Sequence, residues 1–194
     1  MGMAAAFRAI SDEHITAILK TPPLIGYFTF SDEPEIFFAE AEGKKSFFGL
    51  GKKKPSEPRP IITLSEGENN EGDLDKSWHG LHYCLTGTDG EASLPLGFIV
   101  SGGQNAGDID NGYGPARLFT SAETNAIQKA LSQISVEQLK KNYLPEKMQN
   151  TYLADVWTRD GDEGFEYIAD NFNYLKKFLV TCVSDKLGMV FYIC

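Results

Sequence analysis

Apolar residues recur along this chain at two periods, and each change of period marks an element. Phe165, Ile168, Phe172, Leu175, Leu179 and Cys182 follow one another at three- and four-residue steps, the stripe of a long helix with one face on a core. Asp160, Asp162 and Glu163 open it, and Lys176, Lys177 and Lys186 lie towards its C-terminal half, matching the helix dipole at both ends. Gly188 ends it, and Met189 to Ile193 reads as a final strand buried on at least one face. Trp78, Leu81, His82 and Leu85 fall at i, i+3, i+4 and i+7 and predict a second buried helical stripe. Asp73 is placed to cap that helix, and Gly87 to close it in a left-handed C-cap. Thr120-Ser121-Ala122-Glu123 is a capping box, with Ala126, Ile127, Ala130 and Leu131 as the apolar face behind it. Ser135-Val136-Glu137-Gln138 is a second box, opening a short helix that stops before Pro145.

The rest of the pattern is shorter-ranged. Residues 3–10 read as a first strand. Ser11 then caps a helix with Asp12 and Glu13 in its first turn and Ile15, Ile18 and Leu19 on its apolar face. Pro22 and Pro23 end it. Residues 24–41 fit either strands or a helix broken at Pro34. Ile61 to Leu64 and Leu96 to Val100 read as strands, Ser65 to Gly72 and Ser101 to Gly114 as loops, and Ala116 to Phe119 as a short strand leading into a helix. Glu42 to Pro60, rich in Gly, Lys and Pro, predicts a mobile surface loop. There are no internal repeats. Strands at both ends with helices between them make the chain α+β. The expected architecture is a single domain over 1–194, a mixed sheet with several helices, and a long C-terminal helix followed by a final strand.

Composition narrows the function. Of 194 residues 42% are hydrophobic and 12% aromatic, enough for a core without disulfides or metals. The net charge of −9 and pI of about 4.8 repel nucleic-acid phosphates, so no nucleic-acid partner is expected, while a basic protein partner is compatible. Cys84, Cys182 and Cys194 form no close pair and read as reduced thiols of a cytoplasmic protein, the first two as small core side chains. The N-terminus lacks the basic start and apolar run of a signal peptide, and no run approaches a membrane span, so no stable membrane insertion is expected.

Two blocks concentrate the candidate chemistry. One is Asp75-Lys76-Ser77-Trp78-His79-Gly80-Leu81-His82-Tyr83-Cys84-Leu85-Thr86-Gly87-Thr88, the other Gly112-Tyr113-Gly114-Pro115-Ala116-Arg117-Leu118-Phe119-Thr120. With the Met1-Gly2-Met3 start, they resemble the signatures of the YfbM-like family, small bacterial proteins of unknown function. The resemblance covers most of the chain. It implies a fold and no activity. On a helix, Asp75, His79 and His82 share one face. An Asp–His pair can orient an imidazole, and two histidines with a carboxylate can hold a metal. The stronger reading is structural: His82 shares the stripe of Trp78 and reads as a buried, hydrogen-bonded core histidine, and Asp75 as a cap or ion-pair partner. In the second block Tyr113 can stack on a ligand and Arg117 pair with an anion, or Arg117 can pair internally with an acidic residue. The two blocks are predicted to meet in space, giving a candidate ligand set of Asp75, Trp78, His79, His82, Tyr113 and Arg117. His14 stands apart from it.

No Gly-Lys-Ser/Thr loop, Gly-x-Ser-x-Gly elbow or Cys-x-x-Cys pair is present, so no catalytic residue, cofactor or metal is assigned. The basic cluster, Lys44, Lys45, Phe47, Phe48, Lys52, Lys53 and Lys54, can touch an anionic membrane or an acidic partner, or be a solvated loop. The balance favours a non-catalytic binding module, of an immunity or antitoxin type or a regulator. The alternative is a small-molecule enzyme with a cleft lined by Asp75, His79, His82, Tyr113 and Arg117.

Overall fold

A computed structural model describes residues 2–30, 33–38 and 60–194. The basic cluster at 44–54, and with it most of the expected loop at 42–60, lies outside the described residues.

The fold is α+β. Its sheet has five strands: β1 (Ala5–Ile10), β2 (Glu71–Asp75), β3 (Gln104–Asp110), β4 (Pro115–Phe119) and β5 (Gly188–Ile193). The order is β2-β1-β5-β4-β3. Each pairing is antiparallel, not mixed as expected.

Alternation along the central strands sorts their side chains to two faces. Ala5, Phe7, Ala9, Phe119, Met189 and Phe191 enter one core. Ile10, Ala116, Leu118 and Val190 enter another on the opposite face. The first core is roofed by α4 (Trp78–Thr86), α5 (Ser121–Ser132), α6 (Val136–Asn142), α7 (Ala154–Asp160) and α8 (Asp162–Ser184). The second is covered by α1 (Asp12–Lys20), α2 (Gly26–Thr29) and α3, helical over 35–38. Phe7, 1% exposed, meets Phe178 of α8 at 4.4 Å between ring centroids; burying one such ring contributes about 1.5–3 kcal/mol.

Locally coded elements stand where the pattern places them. Phe165, Ile168, Phe172, Leu175, Leu179 and Cys182 are all buried along α8. Both capping boxes close: Thr120 Oγ1 accepts from the Glu123 amide and Ser135 Oγ from the Gln138 amide, with each N3 side chain bonding back. Ser11 caps α1 through the His14 amide at 3.2 Å. Ile15 and Ile18 are buried while Leu19 is turned outward, and on α5 Ile127 and Leu131 are buried while Ala126 is exposed.

Further expectations are corrected. Asp73 does not cap α4, since it belongs to edge strand β2, opposite Ala6. Ser77 holds the N-cap, and Asp75, at φ 44°, turns the chain into the helix. Residues 61–64 are irregular. Residues 96–99 form a 3-10 turn instead of a strand; the Phe98 and Ile99 carbonyls go to Arg117. Ser101 to Gly114 is not all loop, because 104–110 is β3, whose ladder with β4 is interrupted between Asn105 and Asp110. Gly107 at positive φ absorbs that irregularity.

Candidate functional site

Helix α4 is buried on most of its circumference, and this decides what its histidines do. His79 Nδ1 accepts from the Tyr152 amide at 2.8 Å, so Nε2 carries the proton that it donates to the Asp89 carbonyl at 2.7 Å. Its ring lies flat on Trp78, 4.7 Å between centroids at an interplanar angle of 3°, and Tyr152 stacks on the indole at 6.0 Å. His82 is fully buried and bonds the Gly90 carbonyl through Nε2 at 2.8 Å. Burial, helped by the nearby Arg117 charge, holds its pKa below the ordinary value against the pull of that bond. Both histidines therefore tie α4 to the loops around it. Asp75 is not with them, because its carboxylate accepts from the Tyr167 hydroxyl of α8 at 2.6 Å.

Arg117 projects from β4 into the first core. Its guanidinium lies 5.6 Å from the Phe119 ring centre and 5.1 Å from that of Phe191. Nη1 donates to the carbonyls of Phe98, Ser101 and Gly102 at 2.9, 2.8 and 3.1 Å, and Nη2 to that of Ile99 at 2.5 Å. The expected acidic partner is replaced by four carbonyl dipoles, which gather the residue 98–102 turn around one cation. Burial lowers its pKa to about 10, and it stays charged at neutral pH. The Nε–H and the second Nη2–H have no partner among the described residues.

The two sequence blocks meet beside this group. A cleft of about 310 Å³ is lined by Trp78, Ile99, Val100, Asn105, Tyr113, Pro115, Arg117 and the end of β5 from Phe191 to Ile193. Trp78 is 7% exposed, and its Nε1–H is buried without a hydrogen-bond partner. Tyr113, 51% exposed, is presented by a turn in which Asp110 Oδ1 accepts from the amides of Gly112 and Gly114, both at 2.9 Å. No Asp or Glu is among the described lining residues. The structure thus gathers Trp78, Tyr113 and Arg117 of the candidate set and leaves Asp75, His79 and His82 outside the wall. Asn105 joins them, hidden from sequence reading inside the glycine-rich 101–114 stretch.

Burial pushes the Cys84 and Cys182 thiols up to about 12, so neither is a thiolate at neutral pH, while Cys194 is exposed. Among the described residues, no group of three or more His, Cys, Asp and Glu side chains is placed to hold a metal ion. A further polar centre lies elsewhere, around Glu68, 1% exposed. Its Oε1 accepts from the Ser11 amide at 2.8 Å and meets His14 Nδ1 at 2.6 Å, and its Oε2 accepts from the Ser65 amide at 2.9 Å.

A family model described as a domain of unknown function, DUF1877, matches residues 1–192. No curated protein matches. Among solved structures, the crystal structure of YfbM from Escherichia coli, a protein of unknown function, is similar over 98% of this chain and 99% of that one, with a TM-score of 0.59 and 17% identity. At that identity the likeness speaks for the fold alone. Both comparisons bear out the resemblance carried by the two blocks.

Proposed function

Starting from a chain that belongs to the DUF1877 family, whose function is unknown, we propose a non-catalytic binding module that meets a basic protein partner through an acidic face. The observation that carries this reading is the commitment of the reactive side chains. His79 and His82 bond loop backbone, Asp75 is bound by Tyr167, and four carbonyls surround Arg117. General acid–base work needs a titratable group within reach of substrate, and His79, His82 and Asp75 are used in holding the fold.

The acidic face is built from β2 and α8. Glu71, Asp73 and Asp75 are exposed on the edge strand. Tyr167 joins that edge to α8, and Glu163 and Asp170, both exposed, flank it by about one helical turn on either side. Like charges held on a rigid strand and helix steer a basic partner and fix its register. This charge pattern suits a neutraliser of a basic toxin or a regulator of a basic protein.

The test is affinity capture from the source cells with the wild type and with Asp73→Asn, Glu163→Gln, Asp170→Asn combined. A basic protein held by the wild type, released by salt and lost in the folded variant supports the reading. If the variant holds the same proteins at the same salt, the acidic edge serves only to keep β2 from pairing with other chains, and the reading falls.

A further inference from the structure

We infer that the cleft between α4, the residue 96–99 turn and β4 binds a small organic carboxylate, gripped by the free edge of the Arg117 guanidinium. This goes beyond the acidic-face reading and stands on a different part of the molecule.

A guanidinium has five N–H donors in a planar fork. The carbonyls of Phe98, Ser101 and Gly102 occupy Nη1, and that of Ile99 takes one hydrogen of Nη2. What remains is the Nε–H and one Nη2–H, the two-toothed edge that matches a carboxylate. The carbonyl cluster and the flanking Phe119 and Phe191 rings fix the plane of the group before any ligand arrives. Preorganisation of this kind removes an ordering cost from binding.

The wall supplies a second donor. Trp78 lines the same cleft, is 7% exposed, and its Nε1–H lacks a partner. A buried donor without an acceptor is uncommon and unfavourable, and an acceptor in the cleft would relieve it. Around these donors stand Val100, Tyr113, Pro115 and Phe191, surfaces for a hydrocarbon or aromatic body. The volume of about 310 Å³ falls at the lower end of small-molecule sites. In a chain of net charge −9, the described lining carries a cation and no carboxylate, so an anion meets no repulsion at the wall. One guanidinium edge between apolar walls suits a singly charged planar anion with an organic body, in preference to a multiply charged phosphate.

The test is NMR titration of the intact protein with phenylacetate, following the side-chain N–H signals of Arg117 Nε and of the two tryptophans. Trp157 is an internal control, since its Nε1 already donates to Thr151 and Tyr152 at 3.0 and 3.1 Å. Phenylacetate is expected to shift the Arg117 and Trp78 signals saturably, with a Kd below about 1 mM, and to leave Trp157 in place. Arg117→Lys, which keeps the charge without the paired edge, should abolish saturation. Because that change also disturbs the carbonyl cluster, Trp78→Phe, which removes only the indole donor, serves beside it and should weaken binding about tenfold. Absence of saturable shifts in the wild type overturns the site. So do equal shifts with neutral phenylacetamide, equal shifts with inorganic phosphate, or binding unchanged in both variants. Chemical conversion of the probe in the same tube would sink the non-catalytic reading and leave the site standing. Partner capture that persists without any shift would sink the site alone.

Discussion

Replacing Glu68 by Gln should destabilise the protein in a way that fades with acid. Glu68 is the hinge pin of the N-terminal region, holding the start of α1 through the Ser11 amide, the His14 ring, and the chain at Ser65. Burial alone would raise its pKa. The Ser65 and Ser11 amides and His14 outweigh that and lower it from 4.5 to about 2. At 1.36 kcal/mol for each tenfold in proton affinity, the drop corresponds to about 3 kcal/mol of folding free energy. Because the folded pKa is depressed, this stability is fully present above pH 4.5 and is lost as pH falls towards 2. About three-fifths of it is gone by pH 3. Glutamine cannot ionise, and its NH₂ faces the Ser65 amide or the Ser11 amide, donor against donor. At pH 7 the variant should therefore melt about 6–12 °C below the wild type, at about 2–4 °C per kcal/mol for a chain of this size. Melting curves of both proteins at half-unit steps from pH 7 to pH 3 isolate the effect, because every other carboxylate titrates in both. The gap should narrow to about two-fifths of its neutral value by pH 3. A gap that stays constant with pH would refute the reasoning, since the loss would then be one of shape and not of charge.

Other expectations are more local. Trp78→Ala should cost about 3–5 kcal/mol in chemical denaturation, because the indole is buried and stacks with His79 and Tyr152; a loss under about 1 kcal/mol would contradict its place in the core. Gly80→Ala should destabilise by about 1–3 kcal/mol although alanine is the better helix former. A Cβ there would stand 2.8 Å from Ile168 Cδ1 and 2.9 Å from Trp157 Cζ2, so an unchanged melting temperature would mean that α4 and α8 are looser than described. Iodoacetamide should label Cys194 alone in the native protein, as Cys84 and Cys182 are buried and Cys194 is exposed; mass spectrometry of peptides finding label on either buried thiol before unfolding would refute this.

What the sequence makes legible is what is coded within a turn or two. The α8 stripe and the two capping boxes are set by residues three and four apart, and they stand as read. Edge strands are another matter. β2 is Glu-Gly-Asp-Leu-Asp and much of β3 is Gly, Asp and Asn, compositions that favour turns; only the ladders offered by β1 and β4 make them strands, and tertiary context overrides propensity. The meeting of the two blocks was legible in their shared aromatic and glycine content. The state of their polar atoms was not. Arg117 looked like half of an ion pair, and nothing in its neighbours announced that backbone 98–102 would turn its carbonyls inward. Asp75 reads as a helical neighbour of His79 only with a helix starting at Asp73, whereas it begins at Trp78. Glu68 was invisible for the same kind of reason, being an acid in a polar loop whose ring partner lies 54 positions away.

The strand order has a consequence for how the protein is made. β1 sits inside the sheet between β2 and β5, paired from Ala5↔Ile193 to Ile10↔Gly188. Its neighbour β5 follows about 180 residues later, and ribosomes add about 5–20 residues each second. The nascent β1 thus waits about 10–35 s with one flank unpaired, and its Ala-Ala-Phe-Arg-Ala-Ile stretch needs shelter from other chains during that time. Sheet closure is in this sense a post-translational step. A translation-arrested chain ending before Gly188 should be held by chaperones and cleaved readily by protease, and adding the last strand in trans as a peptide should suffice to protect it.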